Sequence, residues 1–123
     1  MRPLIAVAVF SLLLSSSLRA EEGKTRVLTG EEIKTEIVGN TISGATSSGH
    51  PYTEYYRDDG RILAKDYAGS WRIEGDRMCV DYDNNDDYDG CWSLALDGRR
   101  MEWLKDGVVF GEGTVLEGNP LGL

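Results

Sequence analysis

The acidic stretch from Asp81 to Gly90 is the segment that most resembles a metal site. It holds five aspartates and two asparagines, and such oxygens are ligands that Ca²⁺ prefers. The spacing does not fit an EF-hand loop, because starting at Asp81 puts Asp86 where glycine is needed, and starting at Asp83 puts Tyr88 there. We interpret the stretch as a solvated hairpin loop, with a low-affinity cation site as the alternative, and we predict no bound metal and no cofactor.

Few side chains offer catalytic chemistry. His50 is the only histidine, and it follows Ser47 and Ser48 in a loop where no motif supplies the orienting acid of a triad. One histidine and two cysteines do not furnish the usual zinc site. Carboxylates are plentiful, which leaves a two-acid hydrolase open, but nothing pairs two of them across an apolar cleft. We therefore predict no catalytic residues and no enzymatic activity.

The first twenty residues predict export. Arg2 precedes the apolar run Leu4 to Leu14, and small residues lead to Ala20, which is the layout of a signal peptide. The run is too short to span a bilayer comfortably. We predict cleavage after Ala20, with Ser17 as the alternative, a single domain over residues 21–123, and a periplasmic or secreted location without a retained membrane segment.

The two cysteines, Cys79 and Cys91, are expected to form a disulfide, because an even count in an exported chain favours pairing. The formal charge is −8, and removing residues 1–20 removes two arginines and no acid, which makes it −10. A chain this acidic excludes nucleic acid as a partner. It favours a protein or peptide partner, especially a cationic one.

One short helix is predicted near residues 30–38, since Thr29 to Glu32 has the form of a capping box and Ile33 and Ile37 share a face. The rest reads as β. Aromatic and β-branched runs alternate with turns at Gly75-Asp76, Asp97-Gly98 and Asp106-Gly107. We expect an antiparallel up-and-down meander of seven or eight short strands, closed into a small barrel or folded into a sandwich.

The turns and the disulfide agree on which face of the meander is apolar. They predict that Trp71, Ile73, Met78, Val80, Trp92, Leu94, Leu96, Met101, Trp103 and Phe110 point inward. Two-residue turns pair Leu94 with Met101 and Trp103 with both Trp92 and Phe110. These side chains are bulky, and an eight-stranded barrel is just wide enough to be filled, so we expect a filled core.

Tyr52, Tyr55 and Tyr56 are the candidate partner-binding residues. Tyr52, Glu54 and Tyr56 alternate with Tyr55 along one strand, so both faces carry a tyrosine and neither is clearly the inside. Aromatic side chains are equally expected in a small β core, because a few residues must bury much area there.

The mature chain resembles small exported proteins of proteobacteria, the DUF995-type domains of unknown function. The likeness runs through Leu28 to Ile33 (LTGEEI), Tyr55-Tyr56, Gly69 to Ile73 (GSWRI), Cys79 and Cys91-Trp92. The resemblance implies a periplasmic β-rich domain and no catalytic residues. The Gly-Ser-Trp within that run also resembles the Gly-x-Trp of lipocalin-like barrels. We expect a non-catalytic binding or structural module, with a lipocalin-like carrier of small ligands as the alternative and an enzyme as the third.

Overall fold

Short connections, most of which contain a glycine, divide residues 25–123, the part of the chain that the computed structural model describes, into nine strands and a helix. The predicted signal peptide lies outside these residues. The elements are β1 (Arg26–Val27), α1 (Gly30–Glu36), β2 (Thr41–Thr46), β3 (Pro51–Tyr56), β4 (Arg61–Leu63), β5 (Ala68–Glu74), β6 (Arg77–Tyr82), β7 (Gly90–Asp97), β8 (Arg100–Lys105) and β9 (Val108–Leu116).

Strands β2 to β9 form a closed eight-stranded antiparallel barrel. Each strand pairs with the next in sequence, and the pairing of β2 with β9 closes the ring. At this closure Gly44 is required, because a Cβ there would meet the carbonyl oxygen of Glu112. The predicted meander is confirmed, and it closes as a barrel.

The strand β1 is an addition to the predicted fold. Arg26 and Val27 pair with Leu96 and Ala95 of β7, and Leu28 is buried. Leu28 is the residue that anchors this segment to the core, since Arg26 and Val27 are both exposed.

The helix α1 begins where the capping box predicts and ends two residues early. The Thr29 hydroxyl accepts from the Glu32 amide, and the Glu32 carboxylate accepts from the Thr29 amide. Ile33 and Ile37 are fully buried in the core cluster, and the Gly30 amide donates to Asp76 in the β5–β6 turn. The helix thus covers one end of the barrel. Within residues 25–123, no helix is long and apolar enough to span a membrane.

The register around the disulfide agrees with the prediction. Ile73 lies opposite Met78, and Met78 lies opposite Trp92. Cys79 and Cys91 are paired residues bonded as a disulfide, with Cα atoms 3.9 Å apart.

The register of the β7–β8 hairpin was predicted wrongly by two residues. Leu94 pairs with Trp103, not with Met101, because the two turn residues are Gly98 and Arg99. A positive φ of 60° at Gly98 and none at Arg99 fit a type II′ turn, in which glycine comes first. A shift of two residues preserves the face of every side chain, so the inward set survives.

The position of Phe110 was also predicted wrongly. The Asp106-Gly107 turn forms as expected, but a bulge between Trp103 and Leu104 pairs Trp103 with Gly111. Phe110 is the extra residue of that bulge and is 45% exposed at the barrel rim.

The core occupies the end of the barrel that α1 covers. There the buried side chains include Ile33, Ile42, Ile62, Met78, Leu94, Met101 and Val115. The β2–β3 and β6–β7 loops lie at the other end, which this aliphatic core does not fill.

Candidate functional site

The uncovered end of the barrel encloses a cavity of about 720 Å³. Its wall comes from inward side chains of β3, β6, β7 and β8, and its mouth comes from the connecting loops. Tyr52, Glu54, Tyr67, Val80, Tyr82, Trp92 and Trp103 are among the lining residues. The expectation of a filled core therefore fails at this end. A volume of this size is within the usual range for sites that bind small molecules.

A buried carboxylate lies in the cavity wall. Glu54 of β3 is 3% exposed. Its Oε1 accepts from the hydroxyls of Tyr56 at 2.6 Å and Tyr82 at 3.1 Å, and its Oε2 accepts from the hydroxyl of Tyr67 at 2.7 Å. We call these four residues the Glu54 cluster. Three separate segments, β3, the β4–β5 loop and β6, meet at this one side chain.

Burial dominates the titration of the cluster. Desolvation raises the pKa of the Glu54 carboxyl above its ordinary value, and the hydrogen bonds from Tyr56, Tyr67 and Tyr82 offset part of that rise. Burial and the nearby carboxylate raise the pKa of each of these three tyrosines. The phenols therefore remain protonated donors at neutral pH.

A second set of contacts anchors the wall beside the cluster. The Trp103 indole donates to the Tyr52 hydroxyl at 2.9 Å, and that hydroxyl donates to the Glu112 carbonyl at 2.9 Å. The Tyr56 and Trp103 ring centroids are 6.1 Å apart. The chain of contacts ties β3 to β8 and β9, and so holds the aromatic wall in one arrangement.

The mouth exposes aromatic rings to solvent. Tyr67, Tyr88 and Phe110 line the cavity, and each is about two-fifths exposed, at 39%, 41% and 45%. The Phe110 ring packs against Trp92, with centroids 5.1 Å apart. Lys105 Nζ lies 5.3 Å from the centre of the Trp92 ring. Apolar surface grouped at one opening is typical of a binding site.

The three tyrosines predicted as binding residues lie on different faces of the barrel wall. Tyr52 lines the cavity and Tyr56 lies within the Glu54 cluster, so the face with Glu54 is the inner one. Tyr55 is on the outer face, where it pairs with Thr41 and Leu63, and it takes no part in the cavity.

Sequence reasoning did not select Glu54 or Tyr82 as site residues. The available signal was the alternation Tyr52-Thr53-Glu54-Tyr55-Tyr56, in which one carboxylate shares a face with two tyrosines. A lone acid on a strand ordinarily indicates the solvent side, which is why this signal pointed to neither face.

The acidic loop and His50 lie at the mouth. Within the loop, Asp83 pairs with Arg61, Asp89 accepts from the Tyr82 amide, and Asn85 accepts from the Asp87 amide. The two hydrogen bonds to backbone amides are local contacts of the loop, and the ion pair joins the loop to Arg61 of β4. His50 is exposed and lines the mouth with the neighbouring serines.

Comparison with family models, with curated proteins and with solved structures finds no match to this chain.

Proposed function

We propose that the protein is an exported, non-catalytic binding protein that holds a small, largely apolar molecule in the open end of its barrel. The observation that carries the proposal is the aromatic-lined cavity of about 720 Å³ with a carboxylate in its wall. A chain of this length gains no stability from leaving such space empty, since unfilled volume costs packing contacts.

The hydrogen-bond arrangement supports binding rather than catalysis. Among the described residues that line the cavity, Glu54 is the only carboxylate, whereas two-acid hydrolysis needs a pair. Ser47 donates to the Val109 carbonyl, and Ser48 shares a hydrogen bond with Thr46. The hydroxyls of both serines are therefore used in hydrogen bonds that hold the loop.

Filling the cavity tests the proposal. Val80 lines it from β6, and Asp81 is the next residue, on the outer face. Titration with the neutral dye Nile red should give saturable binding to the native protein. Val80→Phe should weaken binding about tenfold or more, which is about 1.4 kcal/mol, and Asp81→Phe should leave it unchanged. Absence of saturable binding, or equal loss in both variants, contradicts the proposal.

The export part of the proposal rests on the leader. A periplasmic or secreted location agrees with the bonded pair Cys79 and Cys91. Amino-terminal sequencing of the exported protein should begin at Glu21. A start at Leu18 would select the alternative cleavage site, and an intact Met1 would contradict cleavage. We also propose kinship with the DUF995-type proteins, which rests on the sequence motifs.

A protein or peptide partner is the second candidate. The β8–β9 hairpin favours it, because Val108 and Val109 are 57% and 41% exposed beside Phe110. Serine at both valines should abolish co-purification of such a partner from periplasm and leave Nile red binding intact. If co-purification persists, this hairpin is not the partner surface.

A further inference from the structure

The carboxylate of Glu54 has no cationic counterpart in the described part of the chain. None of the lysines and arginines among residues 25–123 lines the cavity. Arg57, Arg61, Arg72 and Arg100 pair instead with acids on the outside of the barrel. The three groups that contact Glu54 are neutral phenols. A buried carboxylate without a positive partner is costly, and a cation that entered the cavity would remove that cost.

The carboxylate also has acceptor capacity left. An ionised carboxylate offers about four acceptor positions. Glu54 Oε1 receives two hydroxyl donors, and Oε2 receives one, from Tyr67. One position on Oε2 therefore remains for a donor supplied by a ligand. Tyr67 is partly exposed at the mouth. Its hydroxyl contacts Oε2, so Oε2 is the carboxylate oxygen on the side of the mouth.

The wall around this carboxylate suits the body of an organic cation. The face of an aromatic ring attracts a cation. The Trp92 ring makes such a contact with Lys105, whose Nζ lies 5.3 Å from the ring centre. The formal charge of the chain, −8, opposes the entry of anions.

Resting on the proposed small-molecule function, we propose that the ligand is an organic amine, whose protonated nitrogen binds Glu54 Oε2 and whose apolar body packs against the aromatic wall of the cavity. Binding forms no covalent bond. The ammonium N–H donates to the carboxylate, and the apolar part displaces water from the rings.

Three probes of matched shape test the proposal by calorimetric titration of the exported protein: phenylbutylamine, phenylbutanol and phenylbutyrate. We expect the amine to bind about tenfold or more tightly than the alcohol, because a charge-assisted hydrogen bond is stronger than a neutral one. The anionic phenylbutyrate should bind most weakly.

Two variants that each remove one negative charge separate the local effect from net charge. Glu54→Gln should lower amine affinity to that of the alcohol while alcohol binding persists. Glu102→Gln, on the outer face of β8, should keep the native preference. Circular dichroism tests whether both variants fold. If Glu54→Gln does not fold, competition between the amine and the alcohol for the native protein tests the amine preference instead.

The outcomes separate the two proposals. If none of the probes binds, the small-molecule function itself fails. If the alcohol binds as tightly as the amine, or if folded Glu54→Gln keeps the amine preference, the amine assignment is overturned and the small-molecule function stands.

Discussion

Trp103 contributes to the barrel in two separable ways, through its buried ring and through its indole N–H. The side chain is only 9% exposed. Its ring lies beside Tyr56, and its Nε1 donates to Tyr52. We expect Trp103→Ala to destabilise the protein strongly, because the substitution removes both contributions at once.

The structure sets the size of this effect. Truncating a buried tryptophan usually costs about 3–5 kcal/mol. Trp103 also lines the cavity, so its removal enlarges a space that already exists and does not create a sealed void. We therefore expect the lower limit, about 3 kcal/mol, of which the hydrogen bond to Tyr52 supplies about 1 kcal/mol. A domain of this length has a total stability of about 5–15 kcal/mol.

Urea denaturation followed by circular dichroism measures the free energy of unfolding. Trp103→Phe should cost less than Trp103→Ala, because it keeps a ring and loses the hydrogen bond. Glu102→Ala is the matched control. Glu102 lies on the outer face, directly opposite Glu112, and like charges in that position repel, so its removal should be neutral or slightly stabilising.

The reasoning would be refuted if Glu102→Ala were the damaging substitution and Trp103→Ala were tolerated. That result would mean that the two faces of β8 are exchanged. Equal costs for Trp103→Phe and Trp103→Ala would instead show that the hydrogen bond to Tyr52, and not the buried ring, carries the effect.

Three further predictions follow from the disulfide, the Glu54 cluster and the acidic loop. Exported protein should show no free thiol by mass spectrometry, and replacing Cys79 and Cys91 with serine should cost about 3 kcal/mol on the chain-entropy view; two alkylatable cysteines would contradict this. Burial raises the pKa of Glu54 above the ordinary 4.5, so its contribution to stability is fully present below that value and is lost as pH rises through the folded pKa. The stability of Glu54→Gln relative to the native protein should therefore increase from about pH 4 to about pH 8, and urea midpoints that show the opposite trend would refute the assignment. The loop 81–90 should bind Ca²⁺ no more tightly than about 10 μM, and a tighter calorimetric titration would show that its oxygens form a site.

The parts of the fold that the sequence predicts are those in which local signals are redundant. The capping box begins α1, and the Gly75-Asp76 turn and the cysteine pair independently specify the same face of β6. At the β7–β8 hairpin and at the bulge in β9 no second signal was present, and there the prediction failed. The dipeptide Asp97-Gly98 is compatible with two turn types, whose central residues differ by one position along the chain. No residue pattern in the sequence indicates the bulge beside Trp103.

The cavity was beyond prediction for a different reason. Its volume depends on how the eight strands tilt and on where each large side chain lies along the barrel axis, and alternation along a strand reports only inside or outside. The bulky aliphatic residues gather at the end that α1 covers, while at the other end Tyr67 and Tyr82 extend their hydroxyls to Glu54 and line open space.

Glu54 also explains why that space does not close. An apolar residue at this position would let the surrounding rings collapse onto one another, but the carboxylate must keep its three hydroxyl partners to offset the cost of burial. Tyr67, Tyr82 and Tyr56 are therefore held at hydrogen-bond distance around one point, and Tyr52 is held separately by Trp103 and Glu112. The polar contacts hold the aromatic wall in an open arrangement, so a ligand of the kind proposed would lose little free energy in ordering it.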